Sequence, residues 1–171
     1  MRCLEDPIET PIPAGYTIEK WPDHEDARLL AVKNEGFSDH WGSTPTSADH
    51  WHQMTRGHGA RLDLSFVARH KDEVVGIALV KRFPDDDELV GGRHARIDKL
   101  TTLRDHRGRG VASALIGSVA DKCRAEDLTH LALNVDSENP TGAKRLYLAL
   151  VSLRVAVRRP IPSRSEHVFK V

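Results

Sequence analysis

Arg104-Asp105-His106-Arg107-Gly108-Arg109-Gly110-Val111-Ala112-Ser113-Ala114-Leu115-Ile116 is the stretch on which the fold turns. A strand-like run, residues 94–103, leads into it, and a helical stripe of Val111, Leu115, Ile116, Val119 and Ala120 leads out of it. Between them lies a turn rich in arginine and glycine. The first N–H groups of a helix have no intrahelical partners, and the helix dipole adds partial positive charge there. Gly108 and Gly110 have no Cβ, so an anion such as a pyrophosphate can come close to the main chain, and Ala112 keeps the next turn narrow. A tight strand-to-helix connection with no ligand is the plain alternative. A P-loop is not supported, because no Gly-Lys-Ser/Thr ending follows. A dinucleotide fingerprint stays open in weak form: Ala114 stands where its third glycine would be, and the next strand leads to Asp136.

Working outward, residues 7–15 hold Pro7, Pro11 and Pro13 and read as an extended arm, with residues 1–14 outside the sheet. Residues 16–21 alternate and read as a strand. Residues 23–35 read as a helix, and Ser47 is placed to cap a second helix over residues 48–55. A hairpin follows, with strands at 62–68 and 74–80 around the turn Lys71-Asp72-Glu73. Residues 83–92 form an acidic loop. After the strand at 94–103 and the helix at 108–125 come a strand at 131–135, a helix at 140–150 opened by Pro140, and strands at 153–157 and 166–171. The order is neither strict βαβ alternation nor all-β.

Composition narrows the function classes. The 171 residues fit one domain spanning 1–171, with 39% hydrophobic and 29% charged residues, which argues against disorder. Lys+Arg and Asp+Glu both number 25, so bulk charge gives no reason to expect a nucleic-acid partner. Arg104, Arg107 and Arg109, with Lys99 near, form a local basic patch suited to a small phosphorylated ligand. Cys3 and Cys123 have no CxxC spacing, and the histidines around Trp41 and Trp51 match no zinc motif, so no metal site is expected. Trp41 and Trp51 are expected to pack the first two helices and help line a pocket. No signal peptide is evident, and no apolar run approaches the roughly 20 residues of a membrane span. The expected location is cytoplasmic, with no membrane partner.

Arg107-x-x-Gly110-x-Ala112 is similar to the acyl-CoA motif Gln/Arg-x-x-Gly-x-Gly/Ala of the GNAT acyltransferases, and the order of elements from about Tyr16 to about Arg158 resembles that family. A second segment, Leu133-Asn134-Val135-Asp136-Ser137-Glu138-Asn139-Pro140-Thr141-Gly142-Ala143 followed by Leu146-Tyr147, resembles the family's strand–Asn–helix–Tyr unit. The Asn139-Pro140-Thr141-Gly142-Ala143 form and the Phe37-Ser38-Asp39-His40-Trp41-Gly42 segment look like the mycothiol-synthase-like subgroup, whose members are often double-length. The resemblance implies an α/β (α+β) GNAT fold. Its central mixed, mostly antiparallel sheet would be splayed at the acyl-CoA site and flanked by about four helices.

The resemblance also implies roles. Main-chain N–H groups of Arg107, Gly108, Arg109, Gly110, Val111, Ala112 and Ser113 would hold the pyrophosphate of acetyl-CoA or another acyl-CoA cosubstrate. Leu100, Thr101, Thr102 and Leu103 would present backbone to the pantetheine, beside a bulge that opens the sheet. Asn139 would bond the pantetheine or serve as an N-cap before Pro140. Tyr147 would protonate the departing CoA thiolate; its plain alternative is a core tyrosine. A carboxylate must take the amine proton, and Asp98 is the first choice, with Lys99 expected on the opposite strand face. Glu35 and Asp39 are further candidates, and an ion-paired surface carboxylate is the plain reading of Asp98.

The implied activity is transfer of an acetyl or short acyl group to the amine of a small molecule, by direct attack in a ternary complex. The alternative is an acyl-CoA-binding module without turnover. A homodimer would mimic the tandem arrangement of the subgroup. One departure is clear: Leu148-Ala149-Leu150-Val151-Ser152-Leu153 follows Tyr147 where family members continue to Gly-Phe, so one wall of the acceptor pocket is expected to differ. The acidic run Asp85-Asp86-Asp87-Glu88 would suit a cationic acceptor or be plain solvated surface.

Overall fold

Residues 74–80 are buried without interruption, so the strand that carries them must be covered on both faces. The computed structural model describes residues 10–39, 44–135 and 165–170. Its elements run β1 Tyr16–Lys20, α1 Asp26–Gly36, α2 Ala48–Arg56, β2 Phe66–His70, β3 Glu73–Lys81, α3 Asp87–Val90, β4 His94–Thr102, α4 Val111–Ala125, β5 His130–Val135 and β6 Ser165–Lys170. The strands form one sheet in the order β1-β2-β3-β4-β5-β6. Every pairing is antiparallel except β4 with β5, which α4 joins as a crossover. This is the mixed, mostly antiparallel α/β architecture that the resemblance implied.

Two cores lie on the two faces. On one, Leu115, Val119 and Cys123 of α4 pack with Ala78, Val80, Ile97 and Leu131. On the other, Leu29 and Val32 of α1 and Trp51 and Met54 of α2 pack with Ile77 and Leu79. The arm lies along α4: a Cβ built on Gly117 would stand 1.7 Å from Thr10 Oγ1. Glycine inside a helix costs about 1 kcal/mol, and here it lets the arm approach.

Several boundaries differ from the sequence reading. The strand expected from residue 62 begins at Phe66, after a single 3₁₀ turn at Leu62–Leu64. Ser65 makes that turn, donating its hydroxyl to the Arg61 carbonyl and accepting the Val80 N–H. The acidic loop contains α3, a one-turn helix ended by Gly91 at φ 86°. The helix expected from Gly108 starts at Val111, because Gly108 and Gly110 take φ of 71° and 86°, outside the right-handed helical region. The helix and strand expected at 140–150 and 153–157 lie outside the described residues. Among the described residues, no helix is long and apolar enough to cross a membrane.

Leu115 is fully buried at the centre of the α4 core. Leu115→Ala is expected to cost about 2–5 kcal/mol, read as a lower denaturant midpoint with an unchanged slope.

Candidate active site

The site begins with an additional residue. Leu79 pairs with Lys99 and Val80 with Ile97, so Asp98 is inserted into β4 as a bulge. The bulge changes which side chains share a face. Ile97 packs against the α4 core before it and Leu100 after it. On the other face, Thr101 meets α1: a Cβ on Gly36 would lie 2.1 Å from Thr101 Oγ1. The bulge also ends the partnership with β5. Pairing stops at Ile97 with Leu133, while β5 continues with β6 to Val135. Residues 98–102 of β4 therefore have an edge that β5 has left, and this is the splay that the resemblance implied.

The cradle follows directly. Beyond Thr102 the chain makes a 3₁₀ turn, Arg104–His106, and the Arg107 N–H donates back to the Arg104 carbonyl at 3.1 Å. The Arg107 N–H is thus engaged within the turn, which leaves the N–H groups of residues 108–113 from the expected set. Among the described residues, no backbone–backbone hydrogen bond uses those N–H groups; the first from the turn is Ala114 N–H to the Gly110 carbonyl, 3.0 Å. Gly110, the N-cap residue, supplies no side-chain acceptor. Gly108, Arg109 and Gly110 are exposed, and a Cβ on Gly108 would meet nothing within 4 Å. The result is an open, uncapped helix N-terminus whose geometry accepts an anion.

The Arg107 side chain is a clamp rather than a ligand cation. Nε donates to the Thr102 carbonyl, one terminal nitrogen to the Gly36 carbonyl and the other to Asp39 Oδ2, each at 2.9 Å. Arg104 holds the other Asp39 oxygen at 3.1 Å. Arg107 foremost, with Arg104, keeps the Asp39 carboxyl below the ordinary aspartate range. Two arginines of the expected basic patch are thus committed to protein groups, and the exposed Arg109 is the one whose side chain these contacts leave available.

The three candidate bases separate cleanly. Asp39 is held by arginines, and Glu35 is exposed at the end of α1. Asp98 lies at the opening, with its side chain 17% exposed. Lys99 Nζ lies 3.3 Å from its Oδ2 and Lys81 Nζ 4.0 Å. Lys99 was expected on the opposite face; the bulge breaks strict alternation and brings both side chains to one side. Thr101 and Thr102 are buried and Leu103 half-buried at the strand's end. Asn139 and Tyr147 lie outside the described residues.

Other expectations resolve into packing. Trp51 is buried against Trp21, with ring centroids 6.0 Å apart, so it belongs to the core; Trp41 lies outside the described residues. His50, His52 and His58 are exposed, and among the described residues no group of three or more metal-ligating side chains comes together. The acidic run is at the far end of β4 from the cradle, about 26 Å along the strand. Its Asp87 accepts the His94 N–H at 3.0 Å and pairs with Arg82 at 2.7 Å. Sequence reasoning missed one cluster beside the cradle. The Tyr16 hydroxyl bonds His106 Nδ1 at 2.9 Å, and the His70 and His106 rings are 5.3 Å apart. Burial first, then His70 and Arg109, lower the His106 pKa below the ordinary histidine value. No local pattern announces that cluster, because three separate segments supply it.

A sequence profile described as the Acetyltransferase (GNAT) family matches residues 19–150, more than half of the chain. The chain belongs to the GNAT acetyltransferase family. N-acetyltransferase 8F1 from Rattus norvegicus is 33% identical over 85 residues, 50% of this chain and 37% of its own length, so the match spans little more than a third of that relative. The PaiA N-acetyltransferase of Thermoplasma acidophilum, crystallised with coenzyme A, superposes with a TM-score of 0.68 at 12% identity, covering 91% of this chain and 99% of its own. A GCN5-related N-acetyltransferase from Sphaerobacter thermophilus is 24% identical, with a TM-score of 0.69, and the match covers 98% of this chain but 49% of that one.

Within this GNAT site two outcomes are expected. Lysine cannot reproduce the three-way fork of Arg107. Arg107→Lys should therefore destabilise the fold by about 1–3 kcal/mol in denaturant titration. For His106, the folded pKa lies below the unfolded one, so the unfolded chain binds the extra proton and stability rises with pH through that window. Below the folded pKa the destabilisation is complete, and above the ordinary histidine value it is gone. His106→Gln should flatten this part of a stability–pH profile.

Proposed function

We propose that this GNAT chain moves an acetyl or short acyl group from acyl-CoA to the amine of a small molecule. The observation that carries the reading is the meeting of two open features at one end of β4. One is the uncapped N-terminus of α4, and the other is the β4 edge from which β5 has departed. The residues present fit the cosubstrate. The N–H groups of 108–113 suit its pyrophosphate, with open space above Gly108, and the edge of Leu100, Thr101, Thr102 and Leu103 suits the extended pantetheine with its amide groups.

The reaction is a direct displacement. The neutral amine nitrogen attacks the thioester carbonyl, a C–N bond forms, and the C–S bond breaks as the tetrahedral intermediate collapses. Asp98 accepts the amine proton, directly or through a water. Its two lysine partners hold the carboxylate at the opening. Tyr147 donates a proton to the thiolate, and Asn139 bonds the pantetheine; both roles rest on the Asn–helix–Tyr motif. In sequence, no cysteine or serine of these motifs has the setting of an activated nucleophile, which favours the ternary complex over a covalent intermediate.

The mycothiol-synthase-like subgroup is the finer placement we propose. The Asn139-Pro140-Thr141-Gly142-Ala143 motif supports it, and so does the match to about half of the Sphaerobacter thermophilus chain. A homodimer acting in the cytoplasm would mimic that tandem arrangement.

Thiol release from acetyl-CoA across an amine panel tests the reading, with Asp98→Asn and Tyr147→Phe each expected to lower kcat by about 10²–10⁴ while calorimetric CoA affinity holds. Gly108→Val forces a β-branched residue to positive φ and should weaken CoA about tenfold. Tight CoA binding with no thiol release for any amine, and a silent Tyr147→Phe, would establish a binding module instead.

A further inference from the structure

Lysine is rarely buried without an anion beside it, because desolvating an ammonium is costly. Lys33 of α1 is 6% exposed. Its Nζ donates to Asn34 Oδ1 at 3.2 Å and to the Thr46 hydroxyl, and lies 5.7 Å from the centre of the Phe37 ring. These partners are neutral, and among the described residues no carboxylate lies within ion-pair distance of it. An ammonium has three donors, so one remains after Asn34 and Thr46 are served. Burial foremost, and then Lys99, hold the Lys33 ammonium below the ordinary lysine range.

The place of this lysine follows from the packing of α1 on β4. Gly36 touches Thr101. Lys33 is one turn back along α1 on the same face, and Lys99 is two residues back along β4 on the same face. The electrostatic coupling between Lys33 and Lys99 agrees with that juxtaposition. Lys99 also reaches Asp98, as does Lys81 from β3. The α1 side of the splay therefore holds Lys33 beside Lys99, and Lys99 and Lys81 in turn reach Asp98. Among the described residues, two lysines share the Asp98 carboxylate, and Lys33 adds a further cation next to one of them. The wall is held firmly: Asn34 Nδ2 donates to the Thr46 carbonyl at 3.0 Å, and the Thr46 N–H donates to Asn34 Oδ1 at 2.8 Å.

We propose that the acceptor carries anionic oxygens, a carboxylate or a phosphate, beside its amine, and that Lys33 and Lys99 bind them. The inference rests on the acyl-transfer reading and names the acceptor class for it. The anion supplies a counter-charge that no described side chain gives Lys33, while its amine lies within reach of Asp98. Lys33 and Lys99 are specificity residues, since they touch the acceptor and leave the thioester alone. The acidic run is distant and its Asp87 is engaged by Arg82 and His94, so a cationic acceptor has no comparable support.

Matched acceptor pairs test this, with thiol release from acetyl-CoA as the readout. One arm sets amino acids against their carboxamides, and the other sets aminoalkyl phosphates against the parent amino alcohols. The charged member of at least one pair is expected to have a kcat/KM higher by about ten- to hundredfold, mostly through KM. The arm that shows the preference identifies the anion. Lys33→Met should bring the ratio close to one while the neutral acceptor keeps its rate; a merely structural role would lower both alike. If Lys33→Met does not fold, Lys99→Met is read by the ratio alone: Lys99 also pairs with Asp98, so both rates are expected to fall, and the ratio cancels that common effect. Equal kcat/KM within every pair, or a ratio unchanged in the lysine variants, overturns the inference and leaves acyl transfer standing. No release with any acceptor, charged or neutral, overturns the transfer reading and this inference with it.

Discussion

Asp98, one residue more than β3 can match, is the constraint from which the rest of the site follows. A strand fully paired on both sides has no N–H or carbonyl to offer a ligand. By taking an additional residue, β4 changes its twist and ends its partnership with β5 after Ile97. Everything before the bulge remains sheet, with Ala95 and Ile97 buried in the α4 core. Everything after it is backbone with one side open. The same event reverses the side-chain pattern, so that Leu100 packs toward α4 and Thr101 toward α1. A shape change and a chemical change thus come from a single insertion.

An opened strand needs an anchor, and Arg107 supplies it. Its guanidinium ties together the end of β4 at Thr102, the end of α1 at Gly36 and the following turn at Asp39. Five donors in a rigid plane can serve three acceptors at once, which an ammonium on a flexible stem cannot. Gly36 lets α1 come close enough for its carbonyl to be reached, since any side chain there would strike Thr101. The glycine and the arginine depend on one another. Together they fix where the N-terminus of α4 points relative to the open edge.

Much of this was legible in the sequence, for local reasons. Gly108 and Gly110 announce a close approach to the main chain, and the stripe from Val111 to Ala120 announces the helix, although its start was expected at Gly108 and falls at Val111. Ser47 as a cap was readable too, and its side chain does accept the His50 N–H. What escaped depends on contacts distant in the chain. Nothing near Asp98 states that β3 is one residue short opposite it, so alternation misplaced Lys99. An arginine in a glycine turn looks like a ligand for phosphate until its distant partners, Gly36 and Asp39, are known. Tyr16, His70 and His106 meet only because β1, β2 and the turn after β4 end on the same side.

This division explains why the donor is easier to read than the acceptor. The proposed CoA cradle is made of main chain, and main chain is shaped by glycine positions and helix starts, which leave short patterns in a sequence. The proposed acceptor site is made of side-chain tips drawn from α1 and β4, at spacings that only the fold sets. Lys33 illustrates it: in sequence it is one charged residue on an ordinary helix, with Glu35 two positions on. In the fold it is a buried cation facing a second cation, with neutral partners. Burial turns an ordinary residue type into an unusual one, because a charge out of water must be answered by something. Where the protein's own described side chains do not answer it, the chemistry of the bound acceptor is the natural place to look.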